Sequence, residues 1–467
     1  MARFVDLIRP ATAVAIFTFV IPLTGLSAQD TSTVSRIVEH YRPVADRIIS
    51  AALEDSSAYD RLTQLVDRFG SRFSGSESLE QALDWVLEQM EADGLQNVHA
   101  EPAMVPHWVR GDESAQLLEP RRKQLPMLGL GGSIGTPSEG ITGEVLVVQS
   151  FEELTEHAEE ARGKIVLFNA PWNGYGPTVR YRTRGAIAAA RVGAVASLIR
   201  SVTPYSMNTP HTGAMSYSDD APRIPHAAIT AEDAAMLQRM QDRGERIVVE
   251  LHMAAKTLPD SPSRNVMAEI TGSEKPEEVV VLGGHIDSWD VGQGAMDDGG
   301  GSVAAWEAVK LLKRLGLQPR RTVRVVLWTN EENGLRGGNA YRDAHRGQLD
   351  AHVLAIESDA GVFAPKGFSF TGSDAALDIL QQIGTLLDPI EASEMTRGGS
   401  GADIGPIVRE GVPGLGLQVD ETRYFWYHHT DADTIDKLDP REMAMCVAAM
   451  AVVSYVAADM EETLPRE

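Results

Sequence analysis

A single cysteine, Cys446, occurs in the 467 residues. An intrachain disulfide is therefore excluded, and so is a cysteine-based zinc site; any metal must be held by His, Asp and Glu. Cys446 lies in the apolar run CVAAMAVVSYVA and reads as an inert core residue. Basic residues are also scarce: 42 Lys and Arg against 66 Asp and Glu give a net charge of −24. That balance argues against a nucleic-acid partner, because phosphate binding needs clustered Lys and Arg. Internal repeats and low-complexity tracts are absent. Beyond residue 25 no segment reads as long and apolar enough to cross a bilayer. At the start of the chain, Arg3 and Arg9 precede ATAVAIFTFVIPLTG (11–25) and LSAQD. A charged start, a short hydrophobic segment and a small-residue exit read as a secretory signal over 1–28, cleaved after Ala28. The expectation is a periplasmic or extracellular protein with no stable membrane insertion after signal removal. The alternative, a retained anchor, is disfavoured by Pro22 and by the shortness of the run.

The length exceeds what one hydrophobic core usually supports, so two domains are expected after the signal. Amphipathic patterns predict helices over 34–54, 58–70 and 78–94, followed by a strand over 97–110. Residues 125–255 differ in character, with short strands such as 143–149 and 163–170, a helix over 180–194 and no candidate metal ligand. They read as an inserted β-rich domain, and the Pro/Ser cluster LPDSPSRN (258–265) reads as the return to the main domain. The main domain is then discontinuous, 29–124 with 256–467. In its second part VVVLGG, TVRVVLWT and HVLAIE alternate with helices over 302–316, 374–388 and 440–462. This pattern predicts an α/β fold with a mostly parallel sheet covered by helices.

The chemistry concentrates at the ends of those strands. His285 follows VVVLGG, Glu331 and Glu332 follow TVRVVLWTN, and Asp359 follows HVLAIES. Sites in open α/β sheets form outside the carboxyl ends of strands, so these groups are expected at one edge. Asp297 sits in the glycine-dense turn GAMDDGGG, where its two oxygens can bridge two cations. Gly299, Gly300 and Gly301 are read as letting the backbone pass close to the metals. A shared carboxylate, two imidazoles and two terminal carboxylates suit two zinc ions: His285, Asp297 and Asp359 for one, and His429, Glu332 and Asp297 for the other. Glu331, left unshared, is read as a general base. Asp287 is expected to accept the second ring N–H of His285 and so orient it. Asp298 is read as a solvated helix-start acid. Adjacent His428 and His429 are not expected to face the same metal, and His429 is preferred. Arg397 and Ser400 in RGGSGADIG, Tyr427 as an oxyanion donor, and His211 from the middle segment are the candidate substrate contacts. Manganese or cobalt in place of zinc stays open.

The H-x-D motif, the aspartate before a glycine run, the Glu-Glu pair, the later Asp and His429-Thr430…Asp433-Thr434 together resemble the M28 zinc peptidases. The resemblance supports His429 as the ligand. It also implies a phosphorylase/hydrolase-like three-layer sandwich with a mixed, mostly parallel sheet, a protease-associated domain in the middle, and a cis peptide after Asp297. It implies hydrolysis of dipeptides and small unblocked peptides, and a homodimer. Two alternatives stand beside this: a single-zinc transferase of glutaminyl-cyclase type, and a non-catalytic binding protein on a peptidase scaffold.

Overall fold

The computed structural model describes residues 31–466; the secretory-signal reading of 1–28 lies outside them. One sheet has eight strands in the order Gln96–Val109, Lys256–Ile270, Arg321–Trp328, Lys275–His285, His352–Glu357, Gly414–Val419, Pro365–Thr371 and Glu394–Arg397. The four from Arg321–Trp328 to Gly414–Val419 run parallel, and antiparallel neighbours flank them on both sides. Both faces are covered, which is why the central strands are apolar without alternation. Val280 and Leu282 enter a large core with the helices Ser57–Phe69, Glu77–Ala92, Gly300–Arg314 and Pro440–Asp459. Val279 and Val281 enter a smaller core that Arg336–His345 and Gly405–Val408 close from the other side. The result is a mixed α/β fold in three layers.

Two expectations change here. Pro440–Asp459 is, against the sequence reading, long and apolar enough to cross a membrane, but 83% of its apolar window is buried inside the fold. Its hydrophobicity is that of a core helix, capped by the Asp439 carboxylate, which accepts from the amides of Arg441 at 2.8 Å and Glu442 at 3.1 Å. Residues 258–265, expected from their prolines and serines to mark the return to the main domain, lie within the strand Lys256–Ile270. Their prolines fit because only residues 266–270 pair on both sides: Pro262 stands opposite Met104 in a one-sided stretch, and Pro259 lies at a register shift.

A second eight-stranded sheet takes its strands from residues 113–253, in the order Lys123–Leu125, Glu113–Glu119, Val248–Met253, Ile141–Val148, Ile165–Phe168, Ala196–Arg200, His226–Ile229 and Met127–Gly129. It has its own two apolar clusters. A third, formed by Phe73, Trp108, Ala255 and Trp289, lies at the seam with the first sheet. Gly131 is required there, since a Cβ would stand 2.0 Å from the Trp289 ring. The middle helix begins earlier than its periodicity suggests, at Tyr175, and runs to Arg191, which matters for the pocket described next.

Candidate metal centre and substrate pocket

Parallel strands bring the named groups to one edge. His285 closes the strand Lys275–His285, the Glu331–Glu332 pair follows Arg321–Trp328, and Asp359 follows His352–Glu357. Asp297 faces two sets of partners with its two oxygens. Oδ1 lies 3.3 Å from His285 Nε2, which is 3.2 Å from Asp359 Oδ1. Oδ2 lies 3.2 Å from His429 Nε2, which is 3.1 Å from Glu332 Oε2. Glu331 lines a cleft of about 370 Å³ beside them. The peptide bond Asp297–Asp298 is cis.

The electrostatics show what this cluster requires. Burial disfavours the His285 imidazolium, yet Asp359 and Asp297 overcome it and hold His285 well above the usual range. Burial likewise opposes His429 protonation, but Glu332 and Asp297 bring it to about 9. Burial would raise Asp297, while the facing His285 and His429 imidazoles hold it well below an ordinary carboxylate. Glu332 is pushed up to about 7 by burial and by Asp297, and Glu331 is raised by burial and by Asp359. Buried carboxylates without countercharge take up protons, whereas divalent cations would displace those protons. Asp297 Oδ2 and Glu332 Oε1 are buried and accept no hydrogen bond from the protein. This oxygen- and imidazole-rich donor set fits divalent cations of zinc type.

Several supporting roles differ from expectation. The His285 Nδ1–H donates to the backbone carbonyl of Asp287 at 2.9 Å, while the Asp287 carboxylate is 3.7 Å away. That carboxylate instead accepts from the amides of Glu331 at 3.1 Å and Glu332 at 3.4 Å, fixing the turn that presents both glutamates. Asp298 is not solvated: it is fully buried and accepts from the amides of His285 at 3.1 Å and Gly301 at 3.0 Å. Gly301 also serves packing, since a Cβ there would stand 2.1 Å from the Ser358 carbonyl and 2.4 Å from Asp298. His428 and His429 do face the same carboxylate, His428 Nε2 lying 3.6 Å from Asp297 Oδ2. The reason is local: His429 has φ +61, a left-handed conformation that cancels the usual alternation and stacks the two rings at 3.5 Å.

The four substrate candidates lie outside the cleft lining. Tyr427 packs on the core and under Lys437. Tyr424 takes the place expected for it, because one helical turn sets Tyr424 over His428, ring to ring at 5.1 Å. Arg397 is at the surface, paired with Asp374 and donating to the Gly372 carbonyl at 2.6 Å. Ser400 is buried against Gly414 and Gly416 under the sheet edge. His211 is buried and neutral, held down to about 3 by burial, and its Nδ1–H donates to the His428 carbonyl at 2.7 Å. It therefore clamps the histidine loop from the middle unit, as does the Thr212 amide, which donates to the His429 carbonyl at 3.0 Å.

Other residues at the site escaped the sequence reading. Asp433 was visible only as part of a motif. Its carboxylate accepts from the amides of Ala295 at 3.1 Å, Met296 at 2.7 Å and Asp297 at 3.2 Å, so it holds the bridging turn. Arg72 is fully buried and donates at 2.8 Å to each of the carbonyls of Gly70, Ile286, Gln293 and Gly294. Tyr175 and Arg182 reach the cleft from the middle helix. No local pattern marks these two, though the early helix start would have drawn attention to them.

Comparison with known proteins agrees with this geometry. Residues 265–454 match the model of peptidase family M28. Carboxypeptidase Q of Pongo abelii is 51% identical over 445 residues, covering 95% of this chain and 94% of that protein. The crystal structure of a peptidase M28 precursor from Shewanella amazonensis SB2B superposes with a TM-score of 0.89 at 35% identity, over 92% of this chain and 99% of that one. A zinc aminopeptidase from Bacillus subtilis shares the fold, with a TM-score of 0.65 at 19% identity, over 87% of this chain and 98% of its own.

Proposed function

This chain belongs to peptidase family M28 and is a metallopeptidase, and from that premise we propose a two-zinc exopeptidase that hydrolyses dipeptides and other small unblocked peptides. The observation that carries the reading is the division of Asp297, one oxygen toward His285 and Asp359 and the other toward His429 and Glu332. In this reading His285, Asp297 and Asp359 hold one zinc, and His429, Glu332 and Asp297 hold the other. When bound, the ions supply Lewis acidity to the scissile carbonyl and acidify water at the site. Glu331, at the cleft wall, takes the proton of the attacking water and returns it to the leaving amine. Asp287 is a positioning residue for the Glu331–Glu332 turn. A cleft of about 370 Å³ suits a small peptide.

The same reading takes residues 125–255 as an inserted protease-associated domain on a catalytic domain of 29–124 and 256–467. The separate sheet and apolar clusters of the middle unit support an inserted domain, although that sheet also takes in Glu113–Glu119 and Lys123–Leu125, upstream of residue 125. Export rests on the charged and apolar pattern of residues 1–28, and a homodimer rests on the family resemblance alone. A one-zinc transferase and a binding protein are disfavoured, because both oxygens of Asp297 have ligand-type partners and Glu331 is retained. The test is zinc content by atomic emission together with hydrolysis of alanyl-alanine by the zinc-loaded protein. Two equivalents per chain with turnover is the expected result; one equivalent, or two without turnover on any unblocked small peptide, overturns the proposal.

A further inference from the structure

We infer that the middle unit positions one of the two metal sites: the Thr212 backbone orients His429, His211 holds the loop that carries it, and occupancy of that site is coupled to the docking of the middle unit. The inference deepens the two-zinc reading above and rests on it. A histidine that binds a metal through one ring nitrogen needs an acceptor for the N–H on the other, which fixes its tautomer and its rotation. The two histidines of the centre find theirs in different places. His285 finds it locally, since its Nδ1–H donates to the Asp287 carbonyl at 2.9 Å, two residues further along the same segment. His429 presents Nε2 to Asp297 and Glu332, and its Nδ1 lies 3.3 Å from the Thr212 carbonyl, which belongs to the middle unit. Arg182 Nη1 is 3.4 Å from the same Nδ1, but it is itself a donor, so the carbonyl is the acceptor that the structure offers.

The same short segment holds the backbone of the histidine loop. The Thr212 amide donates to the His429 carbonyl at 3.0 Å, so the two residues are joined in both directions. His211 Nδ1–H donates to the His428 carbonyl at 2.7 Å, and the Thr203 hydroxyl donates to the Phe425 carbonyl. The segment is in turn anchored inside the middle unit. The His211 amide donates to the Ser201 hydroxyl at 2.9 Å, the Thr212 hydroxyl to the Gly129 carbonyl at 2.8 Å, and the Gly131 amide to the Gly213 carbonyl at 3.0 Å. His211 and Thr212 are each 1% exposed, so water does not replace these bonds when they are lost. His285 and Glu332, by contrast, take their support from Asp287 of the first unit. Coupling between two binding events is reciprocal: zinc beside His429 tightens the docking of residues 201–213 by the factor with which docking tightens zinc.

The experiment dialyses the zinc-loaded protein, as wild type, His211→Phe and His211→Asn, against a graded chelator and counts the zinc retained per chain. His211→Phe keeps a ring but has no donor. It should shed one zinc at a free-zinc concentration roughly 10–100-fold higher than the wild type does, the scale for removing an outer partner of a metal ligand, while the other zinc leaves where it does in the wild type. His211→Asn, whose amide N–H can reach the same carbonyl, should restore part of the affinity. A Phe variant that holds both zincs as the wild type does, or loses both equally, overturns the inference. Hydrogen exchange gives a second reading, because residues 201–213 hold no proposed ligand: loading zinc should slow their exchange in the wild type. The slowing should survive in Asp359→Asn and vanish in Glu332→Gln, since only the second removes a group that faces His429. No slowing in the wild type overturns the inference, even if His211→Phe fails to fold. A wild type that holds a single zinc defeats the two-zinc reading on its own, and exchange across 201–213 on loading that ion then still decides whether the middle unit is coupled to the metal.

Discussion

Replacing Arg72 by Met is expected to destabilise the protein and empty its metal centre, although Arg72 touches none of the proposed ligands' side chains. The guanidinium is fully buried and donates to four backbone carbonyls, each at 2.8 Å. Three of these carbonyls, of Ile286, Gln293 and Gly294, lie in the loop that joins His285 to Asp297. Burial lowers its pKa to about 10, so it remains a cation at neutral pH and the bonds are charge-assisted. Each such bond contributes roughly 1.5–3 kcal/mol, and the Gly70, Ile286 and Gln293 carbonyls left without a donor cost roughly 1–3 kcal/mol each, whereas the Gly294 carbonyl keeps the Gly299 amide at 3.1 Å. These values do not add within one network, and Met refills much of the volume, so the expected net loss is about 4–6 kcal/mol. Urea unfolding of the metal-free protein measures the loss, and atomic emission after dialysis measures zinc. The loop should also loosen, lowering zinc well below two per chain. A variant within about 0.5 kcal/mol of wild type and fully loaded with zinc would refute the reasoning, since it would mean the carbonyls of Gly70, Ile286 and Gln293 find other donors.

Three further outcomes are expected. Glu331→Gln should keep its zinc and lose roughly 10²–10⁴-fold in kcat, because the proton acceptor is gone while the ligands stay; undiminished turnover would remove Glu331 from the mechanism. Gly301→Ala should cost about 1–3 kcal/mol in urea unfolding, because its Cβ would stand 2.1 Å from the Ser358 carbonyl and 2.4 Å from Asp298; an unchanged midpoint would show that the helix can shift freely. His226, buried between the Ser197 and Tyr181 carbonyls, is pushed down to about 4 by burial. Between about pH 6.5 and 4 the unfolded chain binds a proton there that the folded chain does not, so stability falls as the pH falls, by about 1.4 kcal/mol per unit. His226→Gln should remove that slope from urea midpoints measured between pH 7 and 5, and an identical slope in the variant would contradict it.

Much of this protein was legible from the order of its residues. Continuous apolar runs such as VVVLGG, short, β-branched and bounded by glycine, read as strands covered on both faces, and a parallel sheet places the residues after its strands on one edge. His285, Glu331, Glu332 and Asp359 could therefore be grouped before any coordinates, and Asp297 and His429 joined them by ligand type. What could not be read depends on contacts between segments far apart in the chain. The Asp287 carboxylate serves the Glu331–Glu332 turn rather than His285, and Asp298 is buried because the helix Gly300–Arg314 and the end of the strand Lys275–His285 close around it. His428 and His429 share a side because of one positive φ, and the loop that carries them is held from the middle unit by His211 and Thr212. Arg182 meets His429 across 247 residues of sequence. Periodicity and motif spacing report the few residues on either side of a position, whereas desolvation and pairing depend on what packs above and below it. The sequence settled the sheet and the kinds of groups at its edge. The packing of helices, loops and the middle unit around that edge decided which of those groups are buried, what each one accepts, and which cation lines the cleft.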